Sequence, residues 1–276
     1  MKIERIINNN IITASDVQNN EVVLMGKGIG FKKEIGQDVL PEEIEKRYTL
    51  DSSLAGDKFK DLLKDIPLVE MQAVNEIVSY AKLSLGKKLS NSIYLSLTDH
   101  LHFAIERMNN GFEFQNALAW EVKHFYHHEY LIGKEALEII KRRIGIEFPH
   151  DEAITIALHI VNAETENSMS NTVGMTKLIK QILSIIQYAF NVEYDENSLA
   201  YERLLTHLKF FVQRIQMNRY LLEENADFFT MIKDNYKKEY DCAQKISDFI
   251  YDEVGHQLTT AELSYLTIHI NRILHA

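Results

Sequence analysis

The spacing of apolar and polar residues divides the chain into an N-terminal part with strand-like segments and a longer part with helical periodicity. The segments KIERII, NIITAS, EVVLMG and KRYTL are short and rich in β-branched residues, and polar clusters such as Asn8-Asn9-Asn10 separate them. Asparagine tolerates the left-handed backbone conformations that hairpin turns require. The pattern therefore predicts a small antiparallel sheet of about four strands over residues 1–56.

From Asp57 onward, apolar residues recur at helical spacing. Two groups show this spacing clearly, namely Phe59, Leu62, Leu63 and Ile66, and then Ile77, Tyr80 and Ala81. Only Pro67 and Pro149 interrupt this part of the chain, which favours long helices. Pro149 directly precedes a predicted helix whose first turn contains Asp151 and Glu152, where the helix dipole favours acidic residues.

The second half of the chain repeats the middle of it. The segment LSLTDHLHFAIER at residues 95–107 aligns with ERLLTHLKFFVQR at residues 202–214. Further on, GIEFPHDEAITIALHI at residues 145–160 aligns with GHQLTTAELSYLTIHI at residues 255–270. His100 therefore falls on His207 and His159 on His269, and a helical unit with two histidines occurs twice.

These patterns predict a multidomain β plus all-α protein. A small antiparallel sheet domain is expected at residues 1–56, followed by two homologous helical-bundle domains at residues 57–170 and 171–276. The polar stretch 165–172 is the best linker between the repeats. A chain of 276 residues suits two or three domains. The sheet domain alone buries little surface, which predicts a homodimer.

The repeated histidines are the first candidates for chemistry. His100 and Arg107, like His207 and Arg214, lie two turns apart on one helix face, since seven residues rise about 10.5 Å. A guanidinium group pairs with phosphate oxygens in a fork geometry, which suits a histidine that acquires a phosphoryl group. The alternative is a buried, hydrogen-bonded histidine beside a solvated arginine. That alternative explains one isolated histidine more readily than four at repeated positions.

A metal phosphohydrolase is a competing hypothesis. His124, His127 and His128 form one cluster, and His150-Asp151 is similar to the histidine–aspartate pair of helical metal phosphohydrolases. Neither feature recurs in the second repeat, and a metal site needs further ligands that converge on one point. A polar helix face and an ordinary helix cap explain these residues more simply. We therefore expect neither a metal nor another cofactor.

Composition and charge limit the remaining classes. Apolar residues make up 46% of the chain, which indicates a folded protein, and the net charge of −10 gives no global footprint for nucleic acid or anionic membrane. The single cysteine, Cys242, cannot form an internal disulfide, so a reducing compartment is expected. Without a signal-like start or a run of eighteen apolar residues, we expect a cytoplasmic protein without membrane insertion.

The N-terminal segment departs from the acidic balance of the chain. Residues 1–33 contain five lysines and arginines against three acidic residues. The run Gly26-Lys-Gly-Ile-Gly30 suits either a turn that needs glycine backbone angles or close approach of the backbone to a polyanion, with Phe31 as a stacking face. A DNA-binding repressor would need a reading helix, which the sequence does not offer. A flat β face with asparagine, glycine and an aromatic residue fits RNA better.

Four blocks of the sequence, KIERIINNNIITA, VVLMGKGIGFKK, SLTDHLHFAIER and ALHIVNAE, resemble the BglG/SacY family of transcriptional antiterminators. The resemblance covers the whole chain in order. It implies a dimeric RNA-binding domain followed by two regulation domains of the sugar phosphotransferase system (PTS), in a protein that is not an enzyme. The RNA-binding domain would bind a leader RNA hairpin of a β-glucoside or β-glucan operon and prevent formation of the terminator.

The resemblance also implies site residues and partners. The RNA contacts would be Arg5, Asn8, Asn10, Gly26, Lys27 and Phe31. The phosphorylation sites would be His100 and His159 in the first regulation domain, and His207 and His269 in the second. Phosphate from the carrier HPr, mostly on the second domain, would activate, whereas phosphate dependent on the sugar-specific permease (enzyme II), mostly on the first, would inhibit.

Three features depart from the family pattern or distinguish the repeats. Relatives often have lysine at Arg5 and arginine at Lys27, so charge is kept while the fork geometry is exchanged. His102 adds an imidazole two residues from His100. Asp99 precedes the first histidine and Thr206 its counterpart, which would make the two sites electrostatically unequal.

Overall fold

The N-terminal sheet is formed as predicted. A computed structural model describes residues 1–16, 20–49, 66–112, 115–165, 169–219, 221 and 226–275. Its four strands are β1 (Lys2–Asn8), β2 (Ile11–Ser15), β3 (Glu21–Met25) and β4 (Lys46–Thr49), and they pair antiparallel in chain order. The helical prediction for Phe59, Leu62 and Leu63 falls outside the described residues.

Both faces of the central strands β2 and β3 are buried. On one face lie Ile12, Ala14, Val22 and Leu24, and these side chains pack with Ile3, Ile29 and Val39. On the other face lie Ile11, Val23 and Met25, and these share a core with Tyr48 of β4 and with helical residues such as Met71 and Val74. The strict alternation of a strand places neighbouring apolar residues on opposite faces, so both faces need a cover.

The described chain after β4 is formed by α-helices and the loops between them, and a short 3-10 helix at Pro41–Glu43 lies between β3 and β4. The first repeat contains α1 (Leu68–Leu85), α2 (Ser92–Asn109), α3 (Ala119–Phe125), α4 (His127–Ile144) and α5 (His150–Thr165). The second repeat contains α6 (Met169–Phe190), α7 (Leu199–Gln216), α8 (Ala226–Asn235), α9 (Lys237–Val254) and α10 (Thr260–Leu274). Helices α2 and α7 begin and end at positions that the sequence alignment pairs, so the structure reproduces the internal repeat.

The described chain forms two compact units. The first comprises Met1–Asn116 and His128–Glu166, so the sheet and most of the first repeat share one unit. The second comprises Ala117–His127 and Asn167–Ala276. Helix α3 packs in the second unit, where Glu121 forms an ion pair with Lys180 of α6. The domain limits at residues 56 and 170 stay a prediction.

The predicted linker at residues 165–172 is partly helical. Helix α5 ends at Thr165, and α6 already begins at Met169, so the last four residues of that polar stretch belong to a helix. Thr172 is buried and its carbonyl accepts a hydrogen bond from the hydroxyl of Thr176. Polar composition indicated a loop here, but burial of one side of the first turn of α6 favours the helix.

Among the described helices, none is long and apolar enough to cross a bilayer.

Glycine allows α4 and α5 to approach closely. A Cβ at Gly133 would lie 2.1 Å from the carbonyl oxygen of Ala153. A Cβ at Gly174, in α6, would have its nearest neighbour 4.0 Å away, at the side-chain nitrogen of Gln216. The two helical glycines therefore differ in what a methyl group would meet.

We expect Gly133→Ala and Gly174→Ala to change stability in opposite directions. The first should lower the free energy of unfolding by about 1–3 kcal/mol, because the helices must separate to admit the methyl group. The second should raise it by about 0.5–1 kcal/mol, because alanine is the better helix former in an open position. Urea unfolding of the full chain measures both, and equal shifts would contradict the close packing of α4 on α5.

Candidate functional site

The turn between β1 and β2 and the loop after β3 are joined by hydrogen bonds. The side-chain oxygen of Asn10 accepts from the backbone N–H of Gly28 at 2.9 Å, and the backbone carbonyl of Asn10 accepts from Gly26 at 3.0 Å. The side-chain oxygen of Asn8 accepts from the N–H of Asn10 at 2.8 Å. The structure thus brings together Asn8, Asn10 and the glycine run at one end of the sheet.

The three glycines of this loop are required for different reasons. Gly28 has φ +71°, a conformation that side chains other than glycine rarely adopt. A Cβ at Gly26 would lie 1.9 Å from the carbonyl oxygen of Glu43, and one at Gly30 would lie 2.4 Å from that of Asn8. The backbone angles that the sequence predicted for a glycine turn therefore occur at Gly28. Gly26 and Gly30 are needed for another reason, since they permit backbone segments to approach closely.

The charged and aromatic candidates surround this turn. Lys27 and Phe31 are exposed, Phe31 by 56%, and Arg5 is exposed on β1. Lys27 and Phe31 do not lie on a flat β face, as the sequence had suggested, because they follow β3 in a turn and apolar packing occupies both faces of β2 and β3. The candidate RNA surface is instead formed by the turns at one end of the sheet, with Arg5 on the neighbouring strand.

The first histidine pair is formed where α2 meets α5. The imidazole rings of His100 and His159 have centroids 5.0 Å apart. Nε2 of His100 lies 3.0 Å from a carboxylate oxygen of Glu152, and the other oxygen of that carboxylate accepts from the guanidinium group of Arg107. Nδ1 of His159 lies 3.3 Å from the hydroxyl of Ser96. His100 and Arg107 thus converge on Glu152 in the first turn of α5, while His159 contacts the ring of His100 and the hydroxyl of Ser96.

Burial keeps His159 neutral. Loss of solvent lowers the pKa of its imidazole to about 3, and the neighbouring ring of His100 acts in the same direction. In this state one ring nitrogen retains a lone pair that can act as a nucleophile.

The second pair is formed where α7 meets α10, and its rings are closer. The centroids of His207 and His269 are 3.7 Å apart, and Nδ1 of His207 lies 2.9 Å from the hydroxyl of Tyr265. Burial lowers the pKa of His207, and the charges of Arg272 and Arg214 lower it further. Burial, then His207, then Arg272 lower the pKa of His269 to about 4. The second pair therefore carries neutral rings in a positive electrostatic environment.

The buried glutamate distinguishes the two pairs. Glu262 aligns with Glu152, but its side chain accepts from the N–H of Thr259 at 3.0 Å and lies 3.1 Å from Nε2 of His256. Arg214, the counterpart of Arg107, instead lies over the ring of Tyr265 at 5.0 Å. Within the described ranges, two buried nitrogens of Arg214 have no hydrogen-bond partner. The first pair is thus neutralised by a carboxylate, whereas the second retains an unpaired cation.

Sequence reasoning missed the role of these glutamates. Glu152 had been interpreted as an ordinary first-turn acid, but it binds both His100 and Arg107. The available signal was the alignment of Glu152 with Glu262 in the two repeats. Tyr265 aligns with a threonine, so comparison of the two repeats could not predict its contact with His207.

The other imidazoles have local partners. His102 lies 2.9 Å from the carboxylate of Glu70, and His124 stacks on Trp120 and lies 2.9 Å from Glu196. His150 is exposed at the start of α5. Across the described part of the chain, no group of three or more potential ligands could hold a metal ion. The structure therefore offers no observation that favours the phosphohydrolase hypothesis.

The two residues that precede the aligned histidines are both exposed. Asp99 and Thr206 lie on the outer sides of α2 and α7. Their difference in charge therefore lies on the outer side of each helix, whereas Glu152 contacts the ring of His100 directly.

The neutral state of His159 predicts how stability depends on pH. The unfolded histidine titrates near pH 6.5, whereas the folded pKa is about 3, so the unfolded chain binds one more proton between these values. The free energy of unfolding should therefore fall as the pH falls, by about 1.4 kcal/mol per unit from this group. Between pH 7 and pH 5, the free energy of unfolding of His159→Gln should therefore fall by about 2 kcal/mol less than that of the wild type.

Urea unfolding at several pH values measures this difference. His150→Gln, which removes an exposed histidine from the start of the same helix, is the control. Parallel pH profiles for the wild type and His159→Gln would show that His159 is not held neutral by the fold.

Known proteins match the whole chain. The CAT RNA binding domain family matches residues 1–55, and the PRD domain family matches residues 75–163 and 180–273. The transcription antiterminator LicT of Bacillus subtilis (strain 168) is 48% identical over 274 residues, which cover 99% of this chain and 99% of LicT. The beta-glucoside operon antiterminator of Dickeya chrysanthemi is 44% identical over 273 residues, with 99% and 96% covered.

A solved structure supports the first part of the fold. The crystal structure of GlcT CAT-PRDI aligns with a TM-score of 0.53 at 33% sequence identity, and it covers 59% of this chain and 98% of that chain. The expected fold class, a small antiparallel sheet followed by two homologous helical domains, is confirmed. The matched relatives are regulators of transcription and not enzymes. With relatives of this identity aligned from end to end, the chain belongs to the BglG/LicT family of transcription antiterminators.

Proposed function

We propose that the chain binds an RNA hairpin in the leader of a sugar-utilisation operon and prevents the terminator from forming. PTS phosphorylation of its histidines controls this activity. The observation that carries the proposal is the combination of a joined asparagine–glycine turn at one end of the sheet with a histidine pair in each helical repeat. The proposal that the inducer is a sugar of the β-glucoside type rests on the beta-glucoside operon antiterminator of Dickeya chrysanthemi, to which the chain is 44% identical.

The geometry of the turn supports RNA binding. The side-chain oxygen of Asn10 is occupied by Gly28, which leaves its amide N–H groups as donors to a base or phosphate. Lys27 and Arg5 supply charge for the backbone, and Phe31 supplies a face on which an unpaired base can stack. Asn8 and Gly26 maintain the shape of the turn. The six predicted contact residues thus divide into those that touch RNA and those that position them.

The histidine pairs support opposite signs of control. Nε2 of His100 lies 3.0 Å from a carboxylate oxygen of Glu152, and a carboxylate accepts hydrogen bonds, so this nitrogen must leave Glu152 before it can accept a phosphoryl group. Nδ1 of His207 is occupied by Tyr265, and its Nε2 has no hydrogen-bond partner in the part of the chain that is described. We assign HPr-dependent activation to His207 and His269, and permease-dependent inhibition to His100 and His159.

A homodimer in the cytoplasm completes the proposal. A phosphoryl group adds up to about two negative charges at neutral pH, and such a charge shifts an interface strongly when it pairs with arginine or faces its symmetry mate. To move the equilibrium between two states of such an interface from 1:99 to 99:1, phosphorylation must stabilise one state over the other by about 5.5 kcal/mol. Two phosphorylated pairs that form several charge-assisted hydrogen bonds each are sufficient for a change of this size.

Phe31→Ala should weaken binding of the full chain to the leader hairpin of its own operon by about 5- to 100-fold. A base stacked on an aromatic ring contributes about 1–3 kcal/mol, and Phe31 is exposed for such a contact. The matched control is Ile35→Ala, which removes a 71% exposed apolar side chain from the same loop. Fluorescence anisotropy with the hairpin, a scrambled hairpin and duplex DNA measures the affinities and the selectivity.

Two outcomes would contradict the assignment of the RNA surface. One is equal weakening by Phe31→Ala and Ile35→Ala, because a general effect on the loop would then explain both. The other is equal affinity of the wild type for the hairpin and the duplex.

Glu152→Gln should accelerate phosphorylation of His100 by about fivefold or more. The carboxylate repels an incoming phosphoryl group, and like charges about 4 Å apart repel by about 1 kcal/mol even in bulk water. The variant also releases Arg107 to bind the phosphoryl oxygens. The rate is measured by peptide mass spectrometry with potassium phosphoramidate as a small donor. Glu147→Gln removes an exposed acid from the same unit as a control, and an unchanged rate in Glu152→Gln would refute the blocking role.

A further inference from the structure

A cavity opens beside the second histidine pair. It has a volume of about 630 Å³, and its lining includes His207, His269, Arg203 of α7 and Arg272 of α10. The space next to His100 in the first unit measures about 10 Å³ and is lined mainly by apolar side chains together with Glu152. The second pair therefore has room for a ligand of several atoms, with two guanidinium groups at its wall.

The two arginines are specific to the second repeat. The alignment of the repeats places Arg203 on Ser96 and Arg272 on Asn162. Both counterparts are neutral, and Ser96 lies 3.3 Å from Nδ1 of His159. The repeats thus keep the histidines while the neighbouring positions change from neutral to positive.

The charge of these arginines is available to a ligand. Arg203 and Arg272 are exposed, and in the described ranges no carboxylate forms an ion pair with either. The charge of Arg272 reaches both rings, since it lowers the pKa of His207 and of His269. Guanidinium groups bind phosphate oxygens through two parallel N–H donors, a geometry that a lysine cannot reproduce.

We propose that Arg203 and Arg272 form a binding site for a phosphate dianion beside the second histidine pair. The site deepens the proposed function, on which it rests, because it would hold the phosphoryl group that His207 or His269 accepts. A free phosphate monoester in the cavity offers the same chemistry from a second source. Both arginines are positioning residues, since the nucleophile is an imidazole nitrogen.

Phosphoryl transfer from a small donor tests this site without any protein partner. With phosphoramidate, the lone pair of the imidazole nitrogen attacks phosphorus and the phosphorus–nitrogen bond of the donor breaks. Ammonia leaves with the electron pair of that bond, and it carries away the imidazole N–H proton as ammonium. Peptide mass spectrometry of the full chain then reports modification at His207 and His269 separately from His100 and His159.

The double variant Arg203→Gln/Arg272→Gln should slow modification of the second pair by about tenfold, since it removes two charge-assisted contacts to the phosphoryl group. Modification of the first pair in the same sample should not change, because both substitutions lie in the other unit, and far-UV circular dichroism verifies that the variant is folded. The matched control, Arg219→Gln/Lys238→Gln, removes two exposed positive charges from the same unit away from the cavity. Equal rates in the double variant and the wild type would overturn the proposal.

Inorganic phosphate distinguishes the two sources of the ligand. It is titrated at constant ionic strength while the ring signals of His207 and His269 are followed by NMR. Saturable shifts that disappear in the double variant indicate a site that also takes free phosphate. Shifts absent in the wild type, together with the slowed modification, indicate that the arginines act only on the covalent phosphoryl group.

If the double variant changes neither measurement, the arginines do not bind phosphate. HPr takes part in neither measurement, so failure of the proposed HPr-dependent control would be seen separately, in a reaction with phosphorylated HPr.

Discussion

A buried carboxylate lies in the first turn of the helix that carries the second histidine of each repeat, and its choice of partner determines the chemistry of that repeat. In the first repeat Glu152 binds His100 and Arg107, so the charges of one site cancel within it. In the second, Glu262 caps its own helix and pairs with His256, so Arg214 remains without a carboxylate. The same fold thus yields one neutralised site and one positive site.

This arrangement gives the two copies of a duplicated unit different electrostatic environments around the same histidine pair, without a new architecture. The difference does not arise from a change in helix length, because α2 and α7 keep the same bounds in the alignment of the repeats. A capping threonine, Thr259, and a neighbouring histidine, His256, suffice to attract the carboxylate away from the arginine. Arg214 contacts the ring of Tyr265 but no carboxylate of the described residues, so its charge stays available to an incoming phosphoryl group in the proposed reaction.

Much of this organisation could be predicted from the sequence, since periodicity and internal repetition are local signals. The four strands, the repeat and the histidine pairs were all found in this way. The partners of Glu152 could not be predicted, because its position in the first turn of α5 is equally typical of a simple dipole contact. The start of α6 at Met169 was missed because polar residues there cover a buried turn. The fit of Gly26 against the backbone at Glu43 depends on a contact between distant segments, which no local pattern records.

The sheet that carries the candidate RNA surface at its turns does not have a core of its own on both faces. Ile11, Val23 and Met25 pack into the same core as Met71 and Val74 of α1. Any damage to that helix is therefore transmitted to the sheet as lost packing. In a genetic screen for loss of antitermination, substitutions at Met71 or Val74 would be recovered beside substitutions in the candidate RNA surface, although neither residue is near that surface in the sequence. Such alleles would mark the shared core rather than a second RNA contact.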